Sequence, residues 1–194
     1  LSGGLGNQMF QYAFGKCLAS RHNTELKLDL GFFTNQAAAK SGHVFRNFDL
    51  DVFTLSESIA TEKEICKLSR RFQNNFLNKV SNKILGYKSS YLAEPHFHFS
   101  QVAYNSPDNF YLSGYWQTEK YFAETSSLIR SAFTFKEEMS DKAKELLANI
   151  KSKNSVCVNV RRGDFVTNSF HGSFGSEYFD KASVLMDEKL EGHT

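Results

Sequence analysis

Cysteine is scarce in this sequence: Cys17, Cys66 and Cys157 stand far apart among 194 residues. An odd, scattered set argues against a disulfide framework and against a cysteine-built metal site. Each lies in an apolar pattern and reads as a buried free thiol, which suits a reducing, cytoplasmic compartment. No apolar stretch reaches membrane-spanning length, and none has the layout of a signal peptide. A net charge of +2 is too small to argue for a nucleic-acid partner. The only prolines are Pro95 and Pro107, and there is neither an internal repeat nor a low-complexity tract. What the chain has is apolar mass, 41% of residues with 19 Phe, enough for a bulky core. Its length allows one large domain, or one and a part.

The organising stretch runs from Ser155 to Val166. Residues 156 to 160 are apolar and rich in valine, which predicts a buried strand. Arg161, Arg162, Gly163 and Asp164 follow at its carboxyl end, where α/β folds place ligands. A guanidinium presents a planar fork of donors that matches phosphate oxygens. Gly163 lets the backbone turn and approach a ligand. These residues read either as a pyrophosphate clamp or as solvated arginines after a strand.

At the other end, Gly3, Gly4 and Gly6 open a predicted helix, with Met9, Phe10, Ala13, Phe14, Cys17 and Leu18 at helical spacing. Main-chain N–H groups at such a start attract anions, and Asn7 and Gln8 add side-chain amides. The alternative is a tight turn needed for close packing. A dinucleotide fingerprint is not met: Met9 holds its third glycine position, although Asp29 ends the next alternating run where a ribose-binding acid would sit. The chain begins on this loop with no strand to feed it, and ends after a helix with no strand to receive it. It is therefore expected to be a piece of a longer protein.

Between these ends, residues 31 to 47 read as a loop. Residues 47 to 53 alternate, predicting a strand with Phe48, Leu50 and Val52 on one face. Asp49 and Asp51 on the other face would be a cation-binding pair or a wet edge. Thr61 and Glu64 form a capping box ahead of a basic amphipathic helix running to about Leu85, with Gly86 beyond it. Such a helix is a surface helix with one wet face, or a peripheral contact with an anionic membrane. Residues 87 to 109 read as a loop in which His96 and His98 share a face, as ordinary loop histidines or as metal ligands. Phe110 to Ser113 predicts a strand, and Gly114, Tyr115, Trp116 and Gln117 the corner into a helix carrying Tyr121, Phe122, Leu128 and Ile129. Aromatic faces beside an amide suit a sugar ring, and suit a core pair equally. Ser140 and Ser176 are predicted caps of the last two helices, the first turning Leu146, Leu147 and Ile150 inward. Strands alternating with helices imply a mostly parallel α/β sheet.

Four stretches in this order resemble the family 11 glycosyltransferases, the α-1,2-fucosyltransferases. They are Gly3 to Tyr12, Gly114 to Phe122, Val160 to Val166, and Glu177 to Phe179. The resemblance covers essentially the whole chain. It implies transfer of L-fucose from GDP-fucose to the 2-hydroxyl of a galactose-containing glycan acceptor, with inversion and without metal or other cofactor. It implies a GT-B-like pair of Rossmann-like domains. Residues 1–154 would form the acceptor-side domain, and 155–194 the opening of a truncated GDP-fucose-binding domain. By the same resemblance, Arg161 and Arg162 would neutralise charge on the departing diphosphate, and Asp164 would orient an arginine or activate the acceptor hydroxyl. Gly4, Gly6, Asn7, Gln8, Tyr115, Trp116 and Gln117 would line the substrate side. Asn159 stands where the family motif has histidine, so no acid–base role carries onto it. The competing reading is a sugar- or phosphate-binding module without turnover, or an inactive fragment of such an enzyme; the fragment by itself is expected to be inactive.

Overall fold

The computed structural model describes residues 1–34, 45–69, 90–160 and 175–190. It is a mixed α/β structure that divides into two compact units, Leu1–Lys136 and Glu137–Thr194.

The first unit is built around helix α1, Leu5–Arg21. Its residues are apolar on nearly every side because it packs against two clusters at once. Phe14 and Leu18 join Ala103, Trp116 and Tyr121 in one. Tyr12 joins Leu28, Leu50 and Phe53 in the other. The first cluster is largely aromatic: Phe14 lies 4.5 Å from Tyr121 and 5.1 Å from Trp116, centroid to centroid. Such pairs add about 0.5–1.5 kcal/mol each beyond the area they bury. A polar anchor fixes the same helix. Lys16 Nζ lies 2.5 Å from Glu57 Oε1, and the Tyr12 hydroxyl donates to that oxygen at 2.8 Å. Burial acts to raise the Glu57 carboxyl, but the Lys16 ammonium and the Tyr12 hydroxyl outweigh it and hold it below its usual value. Burial first, and then the Glu57 carboxylate, push the Tyr12 phenol up.

Two short parallel pairs make up the sheet among the described residues. Strand β1, Lys27–Leu28, pairs with β2, Ser58–Ile59. Strand β3, Tyr91–Ala93, pairs with β4, Tyr111–Ser113, placing Ala93 opposite Ser113. A one-turn helix α2, Gly31–Thr34, follows β1, and α3, Glu62–Ser69, follows β2. The capping box at the start of α3 is present: the Thr61 N–H donates to Glu64 Oε2 at 2.8 Å, and the Glu64 N–H reaches Thr61 Oγ1 at 3.4 Å. Lys27 and Thr61 together pull the exposed Glu64 carboxyl down to about 2. The rest of the predicted helix, to Leu85 and Gly86, lies outside the described residues.

Several local expectations are corrected. Residues 47 to 53 are not a strand: Leu50–Val52 is a 3-10 turn with Asp49 as its N-cap, and Leu50 and Phe53 are buried while Val52 is exposed. The alternation reflects a single tight turn that sends Leu50 and, three residues on, Phe53 inward. The segment 87 to 109 is not all loop. It holds β3 and the short helix α4, Gln101–Tyr104, whose Ser100 cap accepts from the Ala103 N–H. The helix expected from Thr118 is broken into 3-10 turns, Glu119–Tyr121 and Ala123–Thr125, before α5, Ser126–Ala132.

In the second unit, Ser140 caps α6, Asp141–Lys151, as expected. Leu146 and Ile150 of that helix are exposed rather than inward. Ser176 is the first residue of α7, Ser176–Lys189, with Gly175 rather than Ser176 at the cap. Residues 155 to 160 form no strand, and Val158, Val160 and Cys157 are exposed, against the expectation of a buried strand and buried thiol. A valine run becomes a buried strand only when neighbours pair with its edges and cover its faces. No described helix is long and apolar enough to cross a membrane.

Candidate functional site

The glycine loop and α1 make an open helix start. Gly3 sits at φ +77°, and a Cβ there would collide with the Asn7 side chain. Two glutamines hold the loop from below. Gln11 exchanges a pair of bonds with the main chain of Ser2, at 3.0 and 2.8 Å. Gln8 is completely buried, donating to the carbonyls of Gly3 and Asn47 at 2.9 Å and accepting from the Asp49 N–H at 2.9 Å. With both donors and its acceptor engaged inside the protein, Gln8 is a strut for the loop and has nothing left to offer a ligand.

Helix α1 has Gly4 at its N-cap and no side-chain cap. The first-turn N–H groups of Leu5, Gly6 and Asn7 have no intrahelical acceptor, and the helix dipole adds positive potential there. A Cβ added at Gly4 or Gly6 would meet nothing within 4 Å, so the space over this turn is open. Asn7 Oδ1 accepts from Gln117 Nε2 at 2.7 Å, joining two expected site residues 110 positions apart. The pair is exposed, and among the described residues the second amide group of each side chain, Asn7 Nδ2 and Gln117 Oε1, has no partner. One wall thus presents main-chain donors, one amide donor and one amide acceptor.

The corner that carries Gln117 is held by a residue the sequence reading missed. Glu94 accepts from the Tyr115 N–H at 2.7 Å and from the Trp116 N–H at 3.0 Å, one with each carboxylate oxygen. These bonds support Trp116 at φ +56°, a conformation uncommon for a bulky side chain. Gly114 is required beside them, because a Cβ there would lie 2.3 Å from the Glu94 Cβ. Glu94 follows directly on β3, so its position opposite Gly114 is visible only once β3 and β4 are paired. Trp116 itself is 1% exposed, with its ring packed on Phe14 and Tyr121. It belongs to the core and offers no face to a sugar; Tyr115 is half-buried beside it.

The remaining expected residues lie elsewhere. Asn159 is exposed in the second unit. Arg161, Arg162 and Asp164 lie outside the described residues. Asp29 bonds the Gly31 N–H at 2.7 Å and the Tyr111 hydroxyl at 2.5 Å, a structural role unlike a ribose contact. Among the described residues, no group of three or more His, Cys, Asp or Glu side chains is placed to hold a metal ion. His96 and His98 contact each other, with ring centroids 5.7 Å apart.

Residues 1–183 match the family model described as Glycosyl transferase family 11. The chain belongs to glycosyl transferase family 11. This family 11 chain is 33% identical over 199 residues to an Alpha-1,2-colitosyltransferase of Escherichia coli, across 98% of this chain and 63% of that protein. It is 29% identical over 205 residues to the O-antigen biosynthesis glycosyltransferase WbnK of Escherichia coli, across 97% of this chain and 67% of that protein. The family 11 chain thus spans about two thirds of the length of these relatives. No solved structure matches it.

Proposed function

We propose that the protein is an inverting glycosyltransferase that moves L-fucose from GDP-fucose to the 2-hydroxyl of a galactose-type glycan, without a metal ion. The observation that carries this reading is the meeting of Asn7 and Gln117 over the uncapped start of α1, in a chain of family 11. Amide groups of both polarities beside an open row of N–H donors fit a ligand with hydroxyls and negative charge together, as a nucleotide sugar has. In the reaction, the acceptor 2-hydroxyl attacks the anomeric carbon from the face opposite the diphosphate. The bond from that carbon to the β-phosphate oxygen breaks, GDP leaves with the electron pair, and the hydroxyl proton passes to a base. Arg161 and Arg162 neutralise the charge that grows on the β-phosphate, and Asp164 orients one of them. Residues 1–154 serve as the acceptor-side Rossmann-like domain and 155–194 open the donor-binding one, in a GT-B-like arrangement.

The first relative's name supplies a second reading of the sugar, since colitose is L-fucose without the 3-hydroxyl. The test is release of GDP from GDP-fucose and from the matching colitose donor, with a galactoside acceptor and excess EDTA. Activity with GDP-fucose is expected to survive the chelator. Arg161→Ala or Arg162→Ala is expected to lower kcat about 10²–10³-fold, the scale of losing one preorganised charge partner. Lysine at either position should rescue poorly, because the fork is lost. Loss of activity to EDTA, or an Arg161→Ala, Arg162→Ala double variant at parental speed, would refute the mechanism. GDP-fucose binding with no turnover would favour the non-catalytic module. Preference for the colitose donor would move the assignment to that sugar.

A further inference from the structure

Helix α1 and the segment around Gln117 meet along one face. Asn7, Phe10 and Phe14 follow one another at three- and four-residue spacing, so they line one side of α1. Phe10 lies 6.0 Å from Phe122, and Phe14 lies 5.1 Å from Trp116 and 4.5 Å from Tyr121, centroid to centroid. Asn7 ends this row, and its Oδ1 takes the 2.7 Å bond from Gln117 Nε2. Aromatic packing thus fixes what flanks Gln117. It does not set the turn of the main chain from Gly114 to Gln117, and so does not set where the Gln117 amide points.

Two sets of bonds do. The Glu94 carboxylate takes the N–H groups of Tyr115 and Trp116, the two residues directly ahead of Gln117. The Thr118 N–H donates to the Trp116 carbonyl at 2.8 Å, closing a three-residue turn with Gln117 at its centre. Glu94 is itself held in place. Its N–H donates to the Ser113 carbonyl at 2.7 Å, and six residues on the Ser100 N–H donates to the Tyr121 hydroxyl at 2.8 Å. We propose that Glu94 is a positioning residue for substrate recognition, turning Gln117 toward Asn7 so that the two amides meet the substrate as one preformed pair. Side chains already ordered lose less freedom when a ligand arrives, which favours binding. The inference rests on the reading of this wall as a place for the nucleotide sugar.

The role has a kinetic signature. Hydrogen bonds from the amide pair to the donor are made in the ground state and the transition state alike, so weakening them raises KM and leaves kcat near the parental value. Loss of an arginine on the diphosphate falls on kcat instead. Because Glu94 acts through Gln117, its replacement has nothing further to spoil once the Gln117 amide is gone. A Glu94 that only supported folding would reduce the active fraction by the same factor in either background.

The test is a double-substitution cycle in the full-length protein: Glu94→Gln, Gln117→Ala and the two together, with GDP-fucose as the varied substrate. Glu94→Gln should raise KM about fivefold and Gln117→Ala about tenfold, the scale of one or two hydrogen bonds, with kcat within about twofold of the parent. The double variant should match Gln117→Ala within about 1.5-fold. A second readout needs no turnover. It is the Gln117 side-chain amide signal in a nitrogen–proton NMR spectrum, identified by its loss in Gln117→Ala. Glu94→Gln and Asn7→Ala should both move that signal toward the position of a free glutamine amide. If the parent does not turn over GDP-fucose, the proposed function fails, and the amide signal alone decides the role of Glu94. The role is overturned by an amide signal that Glu94→Gln leaves in place, by an equal loss of kcat/KM in both backgrounds, or by a loss confined to kcat.

Discussion

Replacing Glu94 by alanine removes the carboxylate that holds the Tyr115–Trp116 corner. Each of its two bonds joins a charged acceptor to a main-chain N–H, a class worth about 1.5–3 kcal/mol apiece. Glu94 is half-buried, so water replaces part of what is lost and the lower end applies. The expected cost is about 3 kcal/mol. For a chain of this size that is a fall in Tm of roughly 6–12 °C. The positive φ of Trp116 works in the same direction: without the carboxylate, its cost of about 1–3 kcal/mol has less to offset it. The assay is internal to the protein. Trp116 is the sole tryptophan and is 1% exposed, so its emission in the native state reports the corner directly. Glu94→Ala should melt earlier and shift that emission to the red. Glu94→Gln keeps one acceptor but turns an amide N–H₂ toward a main-chain N–H, and should lose about half as much. If Glu94→Ala unfolds within about 0.5 kcal/mol of the parent with unchanged emission, the corner is held by something else and the reasoning fails.

Gln8→Leu strips partners from two carbonyls and one N–H inside the protein, and should cost about 2–4 kcal/mol in urea unfolding. Gln117→Ala and Asn7→Ala, which change an exposed pair, should leave stability within about 0.5 kcal/mol while lowering kcat/KM about tenfold. Acid should destabilise the first unit through Glu57. Its folded pKa lies below the unfolded value of about 4.3, so its contribution is present above that pH and is lost as pH falls through the folded value. Urea titrations of Glu57→Gln between about pH 5 and 3 should show a flatter dependence than the parent.

Features decided by near neighbours in sequence were legible. The Thr61–Glu64 box and the Ser140 cap are contacts across a single turn, so residue type and spacing determined them. β4 was visible because its apolar run ends on a glycine that the fold requires. Features whose partners lie far away were not legible. Gln8 resembles a ligand-binding amide until Asn47 and Asp49 come to meet it. Glu94 was missed because its role depends on the register between β3 and β4. Trp116 carried two readings that sequence could not separate, since a sugar platform and a core aromatic have the same chemistry. Burial against Phe14 and Tyr121 separates them. The alternation at 47–53 misled because apolar residues around a tight turn, with Leu50 and Phe53 buried, imitate a strand face.

The three thiols divide by accessibility in a way that is useful at the bench. Cys17 is sealed in the core, whereas Cys157 stands open to solvent just ahead of Asn159 and the paired arginines. A maleimide dye would therefore couple fastest at Cys157, and Cys66→Ser would remove the half-buried competitor. The label would sit beside the segment expected to grip the diphosphate, so quenching on addition of GDP would report nucleotide arrival without any coupled enzyme.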